Sequence, residues 1–266
     1  MEEDGFVLVK RRGKHSKAGK TSHSCVSESV DSSKLKPIET DLSEKNIERV
    51  SHQIKDYKHD ITTLNVWTSI TRHLTSITNT KHISQIVCYG LGSLLSGPST
   101  FSSRHQLALL LALRDTLSVE VVSYDPVFNK QDLYLLQSYD IQTLTGNDYG
   151  KRMAVSRTLF FMPRCPFELF NNLLWKNWNN LDNLILFGND LTFLDTQLSS
   201  KDFEQRLRFI FDALPLLSTE KLCFSDSFLD TVMNNCVIHS FSKAACKHLD
   251  ESELAALEPC ADSITS

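Results

Sequence analysis

Two glycines one residue apart, Gly90 and Gly92, follow the apolar run Ile86-Val87-Cys88-Tyr89 and precede Ser93. Glycine there lets the backbone turn tightly and approach a ligand closely, so a β-branched run ending in Gly-x-Gly is how an α/β sheet opens its ligand crevice. Asp125 ends a second such run, Val119 to Tyr124, where a carboxylate can accept ribose hydroxyls. Arg164 and Cys165 lie between Pro163 and Pro166, and Gly188-Asn189-Asp190 ends a further apolar run, Leu181 to Phe187. Ligands of an open α/β sheet bind outside the carboxyl ends of its strands. That brings Gly90, Gly92, Ser93, Asp125, Arg164, Cys165, Asn189 and Asp190 to one rim, suited to a nucleotide or to S-adenosylmethionine. The dinucleotide fingerprint is incomplete, however. Leu95 stands where its third glycine belongs, and Asp125 lies 35 residues beyond Gly90 instead of roughly 20. The competing reading gives the glycines only a tight turn and Asp125 only the turn at Pro126.

Cys165-Pro166 offers a second chemistry. A thiolate at a helix N-terminus has a lowered pKa and can act as a nucleophile or ligate haem iron. No histidine is near it in sequence, which weighs against a covalent mechanism. No zinc-ligand spacing occurs, and His239, on an apolar run, reads as a hydrogen-bonded core residue.

The elements that must position these groups follow from periodicity. Residues 1–38 are Ser-, Lys-, Gly- and His-rich with few large apolar side chains, too few to offset the entropy of ordering, and read as a disordered basic arm. Residues 39–80 read as a helical lead-in: Ile47, Val50, Ile54, Tyr57, Ile61 and Leu64 form one stripe of a helix starting at Asp41 or Ser43, weakened at Thr62 and Thr63. The stripe lasts under three heptads, so packing against the sheet is preferred to a coiled coil. Residues 81–245 alternate strand and helix. Strands are expected at Ile83 to Tyr89, Val119 to Tyr124 (buried on both faces), Ile141 to Leu144, Thr158 to Met162, Leu181 to Phe187, Leu222 to Phe224 and Val237 to Phe241. The helices between them run from a cap at Ser102 or Ser103 to Leu117, around Gln131 to Ser138, from Pro166, from Lys201 to Leu214 and from Phe228 to Asn234. The fold class is α/β, a mostly parallel, Rossmann-like, three-layer sheet built by right-handed crossovers. Residues 246–266 read as a short helix and polar tail.

The totals narrow the function. A chain of 266 residues with 41% apolar content can bury a large α/β core, and a net charge of −4 gives no overall basic field for nucleic acid. Residues 10–20 alone are basic, carrying Lys10, Arg11, Arg12, Lys14, Lys17 and Lys20 with no acid among them, and can serve as a nuclear address or only as a solvated tail. Seven cysteines, an odd count without Cys-x-x-Cys, suggest reduced thiols, and no apolar run reaches the length of a membrane span. The expectation is a cytoplasmic protein, extended to the nucleus if the arm is an address, with no membrane contact and no nucleic-acid motif beyond residues 10–20.

Val87 to Ser93, Gln106-Leu107-Ala108-Leu109, Asp125-Pro126-Val127-Phe128, Met162 to Pro166, Asn172 to Trp178 and Leu186-Phe187-Gly188-Asn189, in that order, resemble the sensitivity-to-red-light-reduced family of SRR-like proteins. The resemblance covers about residues 80 to 242, and Phe6 to Val9 with the basic run is similar to the N-terminus of animal members. It implies an SRR-like domain at 81–245 and a regulatory protein acting through unidentified protein partners, linked to circadian-clock gene expression and, in animal members, to haem biosynthesis. It brings no established reaction. Two positions depart from the family pattern: Arg164 where a histidine is usual, and Asp190 where a serine is usual. Loss of the imidazole removes a base or metal ligand, while an arginine can hold a phosphate or carboxylate. The alternative is an S-adenosylmethionine-dependent methyltransferase-like enzyme using the same crevice, favoured by the glycine loop, Asp125 and two terminal strands resembling the tail of that sheet topology.

Overall fold

The computed structural model describes residues 36–78, 81–196, 201–224, 227–241 and 248–259. Two units divide the chain, Met1–Glu39 and Thr40–Ser266; of the first, only the opening turn of a helix is described. The basic stretch 10–20 lies outside the described residues.

Seven strands form one sheet in the order β3-β2-β1-β4-β5-β7-β6: β1 Gln85–Tyr89, β2 Glu120–Tyr124, β3 Gln142–Thr143, β4 Thr158–Met162, β5 Leu184–Asn189, β6 Leu217–Lys221 and β7 Cys236–Phe241. The first five pair in parallel; β7 runs antiparallel to both β5 and β6. The sheet is mostly parallel, as expected, and the direction reverses at this edge because the chain leaves β6 through a short helix, α8 Ser227–Met233, and turns straight back.

Side chains alternate between faces with period two. Ile86, Cys88, Leu159, Phe161, Ile185 and Phe187 enter one core cluster; Val87, Tyr89, Phe160, Met162, Leu184 and Leu186 enter the other. The first face is covered by α3 Thr100–Leu117 and α4 Lys130–Ser138, together with α8. Helices α1 Lys36–Thr63 and α2 Asn65–Thr78 contribute Val50, Ile54, Ile61, Val66, Ile70 and Leu74 to that same core. Because it lies within this layer, α3 is buried on nearly all sides from Leu107 to Leu113. The second face is covered by α5 Phe167–Lys176, α6 Lys201–Arg206, α7 Arg208–Ala213 and the C-terminal α9 Glu251–Ala256. Three layers result, as expected.

Boundaries shift for local reasons. Helix α1 starts at Lys36, ahead of Asp41, with Pro37 in its first turn, where a missing N–H is harmless. It stops at Thr63, where the hydroxyls of Thr62 and Thr63 bond back to His59 O and Asp60 O at 2.8 and 2.7 Å. Helix α3 is entered from Ser99, not Ser102 or Ser103; the Ser103 hydroxyl donates to Ser99 O at 3.0 Å, inside the helix. Trp178–Asn183 is a 3-10 turn, so β5 begins at Leu184, and the strand continues through Gly188 instead of stopping there. Lys201 to Leu214 is broken at Leu207 into α6 and α7. Strand β6 is the polar Leu217–Lys221, not Leu222 to Phe224, because an edge strand with little burial carries no apolar signature. Strand β2 is buried fully only at Val121 and Ser123, one neighbour being the two-residue β3.

Candidate functional site

Gly90 and Gly92 adopt φ of 71° and 75°, in the left-handed region. The Gly92 N–H donates to Asp125 Oδ2 at 2.8 Å, and Asp125 Oδ1 accepts the Val127 N–H at 3.0 Å. Asp132, in the first turn of α4 and fully buried, takes the rest of the loop. It accepts the Ser93 hydroxyl at 2.8 Å and the N–H groups of Leu94, Leu95 and Asn129 at 2.9, 3.1 and 3.1 Å. Loop amides of this kind hold phosphates in nucleotide sites; here the anions are the protein's own carboxylates. Asp125, expected to take ribose hydroxyls, instead positions the glycine loop. Asp132 was not singled out by sequence, although Asn129-x-x-Asp132 is a readable capping box and α4 uses it as one.

The β4 loop is built around Cys165. Its thiol is 3% exposed and donates to Tyr89 O at 3.4 Å. Burial raises it well above the ordinary thiol value, and Cys88 and Cys236 are each pushed up to about 12 by burial. This overturns the expected low-pKa thiolate: Pro166 caps α5, while Cys165 faces inward against Gly90. Cys165 does not fit haem iron, which needs an approachable thiolate. Among the described residues no group of three or more His, Cys, Asp or Glu could hold a metal ion. Tyr89, just before the loop, donates its hydroxyl to Asp148 at 2.7 Å, and burial with that neighbouring carboxylate raises its pKa.

Arg164 has φ of 59° and an exposed side chain. Its N–H donates to Asn189 Oδ1 at 2.8 Å, and Asn189 Nδ2 donates to Cys165 O at 2.8 Å, so one amide clamps the β4 loop to the end of β5. The Asp190 N–H donates to Asn235 O at 2.9 Å, while Asp190 Oδ1 accepts the Thr192 N–H and hydroxyl at 2.9 and 2.6 Å. Beneath this turn the Leu191 N–H donates to His239 Nε2 at 3.1 Å. That nitrogen is therefore unprotonated, and Nδ1–H faces Thr219 Oγ1 at 2.8 Å. Burial lowers the His239 pKa to about 4, the bonded core histidine expected.

The expected rim thus divides in two. Gly90, Gly92, Ser93 and Asp125 belong to a loop satisfied from within, whereas Arg164, Asn189 and Asp190 line an open cleft of about 330 Å³. Phe167 and Phe193 add aromatic walls, and α8 and its turn add Thr231, Asn234 and Asn235, which nothing in their sequence marks as a site. Arg164 and Asp190 thus face the same cleft.

A family profile described as the SRR1 domain matches residues 66–250. The SRR1-like protein of Mus musculus is 34% identical over 130 residues, 47% of this chain and 51% of that protein. Protein SENSITIVITY TO RED LIGHT REDUCED 1 of Arabidopsis thaliana is 34% identical over 120 residues, 43% of this chain and 42% of that protein. The chain spans about half the length of these curated relatives. Among solved structures, the mitomycin 7-O-methyltransferase MmcR aligns at a TM-score of 0.33 and 11% identity over 74% of this chain and 67% of that one.

Proposed function

The chain belongs to the SRR1 domain family, and we propose on that premise that it is a regulatory protein that works through protein partners and takes a small ligand in the cleft between the β4 loop, the end of β5 and α8. The observation that carries the ligand is the cleft itself: an open concavity at strand ends, lined by charged and amide groups and by two phenyl rings. The setting we assign is control of circadian-clock gene expression and of haem biosynthesis, in the cytoplasm and nucleus. Family membership supports the regulatory role, and the name of the plant relative ties that protein to red-light sensitivity. No described helix is long and apolar enough to cross a membrane.

The test is replacement of the chain in cells by Asn234→Trp, which fills the cleft without touching either core. Deletion of the chain and the Asn234→Trp replacement should both lower the amplitude of clock-transcript rhythms. Unchanged rhythms on deletion would end the regulatory assignment; unchanged rhythms only with Asn234→Trp would separate regulation from the cleft.

A second reading has one specific observation behind it: β7 inserted antiparallel between β5 and β6, the terminal arrangement that favours a methyltransferase-like sheet. S-adenosylmethionine would need Gly92 and Asp125, which already bond each other. Calorimetric titration of the full chain with S-adenosylmethionine decides it. A signal abolished by Asp125→Ala favours the enzyme, and silence removes it.

A further inference from the structure

We propose that the cleft selects a zwitterion, an α-amino acid with an aromatic side chain, with Arg164 taking its carboxylate, Asp190 its ammonium group, and Phe167 and Phe193 flanking the side chain. The inference rests on the reading of this cleft as a ligand site and names the ligand's class.

Three observations carry it. First, Arg164 and Asp190 line one small cleft with opposite charges, yet they form no ion pair with each other, and among the described residues no ion pair engages the Arg164 guanidinium. Asp190 spends Oδ1 on Thr192, while no hydrogen bond among the described residues reaches Oδ2. A ligand with a single charge meets one attractive group and one repulsive group; a ligand carrying both charges satisfies both and bridges them.

Second, the Arg164 backbone is held at a φ of 59°, a conformation that L side chains rarely adopt. Asn189 imposes it by accepting the Arg164 N–H and donating to Cys165 O. The same bonds fix the backbone point on the cleft wall from which the exposed Arg164 side chain extends. Asp190 is fixed in turn by Asn235 O at its N–H and by Thr192 at its carboxylate.

Third, Phe193 is 55% exposed beside these charges, and Phe167, the first residue of α5, lines the same cleft while packing partly against the core. The half-exposed Phe193 ring beside charged groups offers flat apolar area to a ligand side chain, and Phe167 adds the accessible part of its ring. The volume, about 330 Å³, lies near the lower end of the usual range of roughly 300–1,000 Å³ for small-molecule sites, consistent with a ligand of amino-acid size.

The experiment titrates the full chain with L-phenylalanine, with 3-phenylpropionate, which lacks the ammonium group, and with 2-phenylethylamine, which lacks the carboxylate. L-phenylalanine should bind at least about ten-fold tighter than either analogue. Arg164→Gln should weaken L-phenylalanine by about ten-fold or more and leave 2-phenylethylamine no weaker. Asp190→Asn, which keeps an oxygen for Thr192, should weaken L-phenylalanine similarly and leave 3-phenylpropionate no weaker. Equal affinity for the three probes, insensitivity of L-phenylalanine to both substitutions, or no binding of L-phenylalanine would overturn the zwitterion. Binding of an analogue that Asn234→Trp abolishes, without preference for L-phenylalanine, would refute the zwitterion and keep the cleft as a ligand site. The cellular effect of Asn234→Trp tests that wider reading separately.

Discussion

Gly90 answers to two constraints at once: a φ of 71° and a missing Cβ whose place lies 2.5 Å from Cys165 Sγ. Alanine there would have to bear the left-handed backbone and displace a buried sulfur packed against β1. The two costs together come to about 3 kcal/mol. Gly90→Ala should lower the unfolding free energy in urea by about that much. Placing Gly90→Ala in a Cys165→Ala background should cost only about 1–2 kcal/mol relative to Cys165→Ala alone, since the steric part is gone and the backbone part remains. Equal costs in the two backgrounds would show that the sulfur does not select the glycine. The glycines were legible in the sequence because a β-branched run ending in Gly-x-Gly has few other uses. Their purpose was not. A nest of loop amides looks the same in sequence whether its anion is a ligand phosphate or the side chain of Asp132 in the first turn of α4, since only the folded chain brings residue 132 to residue 94.

At the scale of elements, α9 shows how a segment outside the matched family region is held. It has no buried residue and only six residues, too few to be helical alone. It stays because the domain's side chains reach its backbone. The Trp175 indole N–H donates to Leu254 O at 2.8 Å, the Asn179 amide exchanges bonds of 2.7 and 3.1 Å with Leu249, and Lys151 bonds Glu258 and Pro259 O at 2.6 and 3.2 Å. Trp175→Phe keeps an aromatic ring under Lys151 and removes one donor, worth about 1 kcal/mol. Amide exchange at the end of α9 should then quicken about five-fold, while exchange in β4 and β5 stays unchanged; equal protection with and without the indole would refute the tether. Sequence periodicity revealed the strands and helices that bury a face, such as β4 with its five buried residues and the leucine-rich α3. It missed β6, whose Leu217-Ser218-Thr219-Glu220-Lys221 pairs on one side only and packs little. What fixes β6 is its ladder with β7, a long-range relation no local pattern carries.

At the scale of the whole molecule, His239 joins the far edge of the sheet to the cleft. From the centre of β7 it reaches Thr219 on β6 through one nitrogen and the Leu191 N–H, just after β5, through the other. Both bonds require the neutral ring, and burial keeps the folded-state pKa near 4, below the ordinary 6.5. The unfolded chain therefore binds the proton more readily than the folded one. Stability from this group is complete above about pH 6.5 and is lost as pH falls toward 4, by about 3 kcal/mol in all. His239→Gln offers an oxygen to the Leu191 N–H and has no proton to gain in this window. The difference in unfolding free energy between the two proteins should thus shrink by about 3 kcal/mol from pH 7 to pH 4, a subtraction that cancels the carboxylates they share. A difference constant with pH would mean that the ring is not held neutral. Because the Leu191 bond underlies the Asp190 turn, acid should also loosen the cleft wall before it unfolds the first five strands. In β5 and the turn after it, amide exchange at Leu191 should therefore rise at a higher pH than exchange at Ile185 and Leu186, which lie within the ladders that β5 forms with β4 and β7.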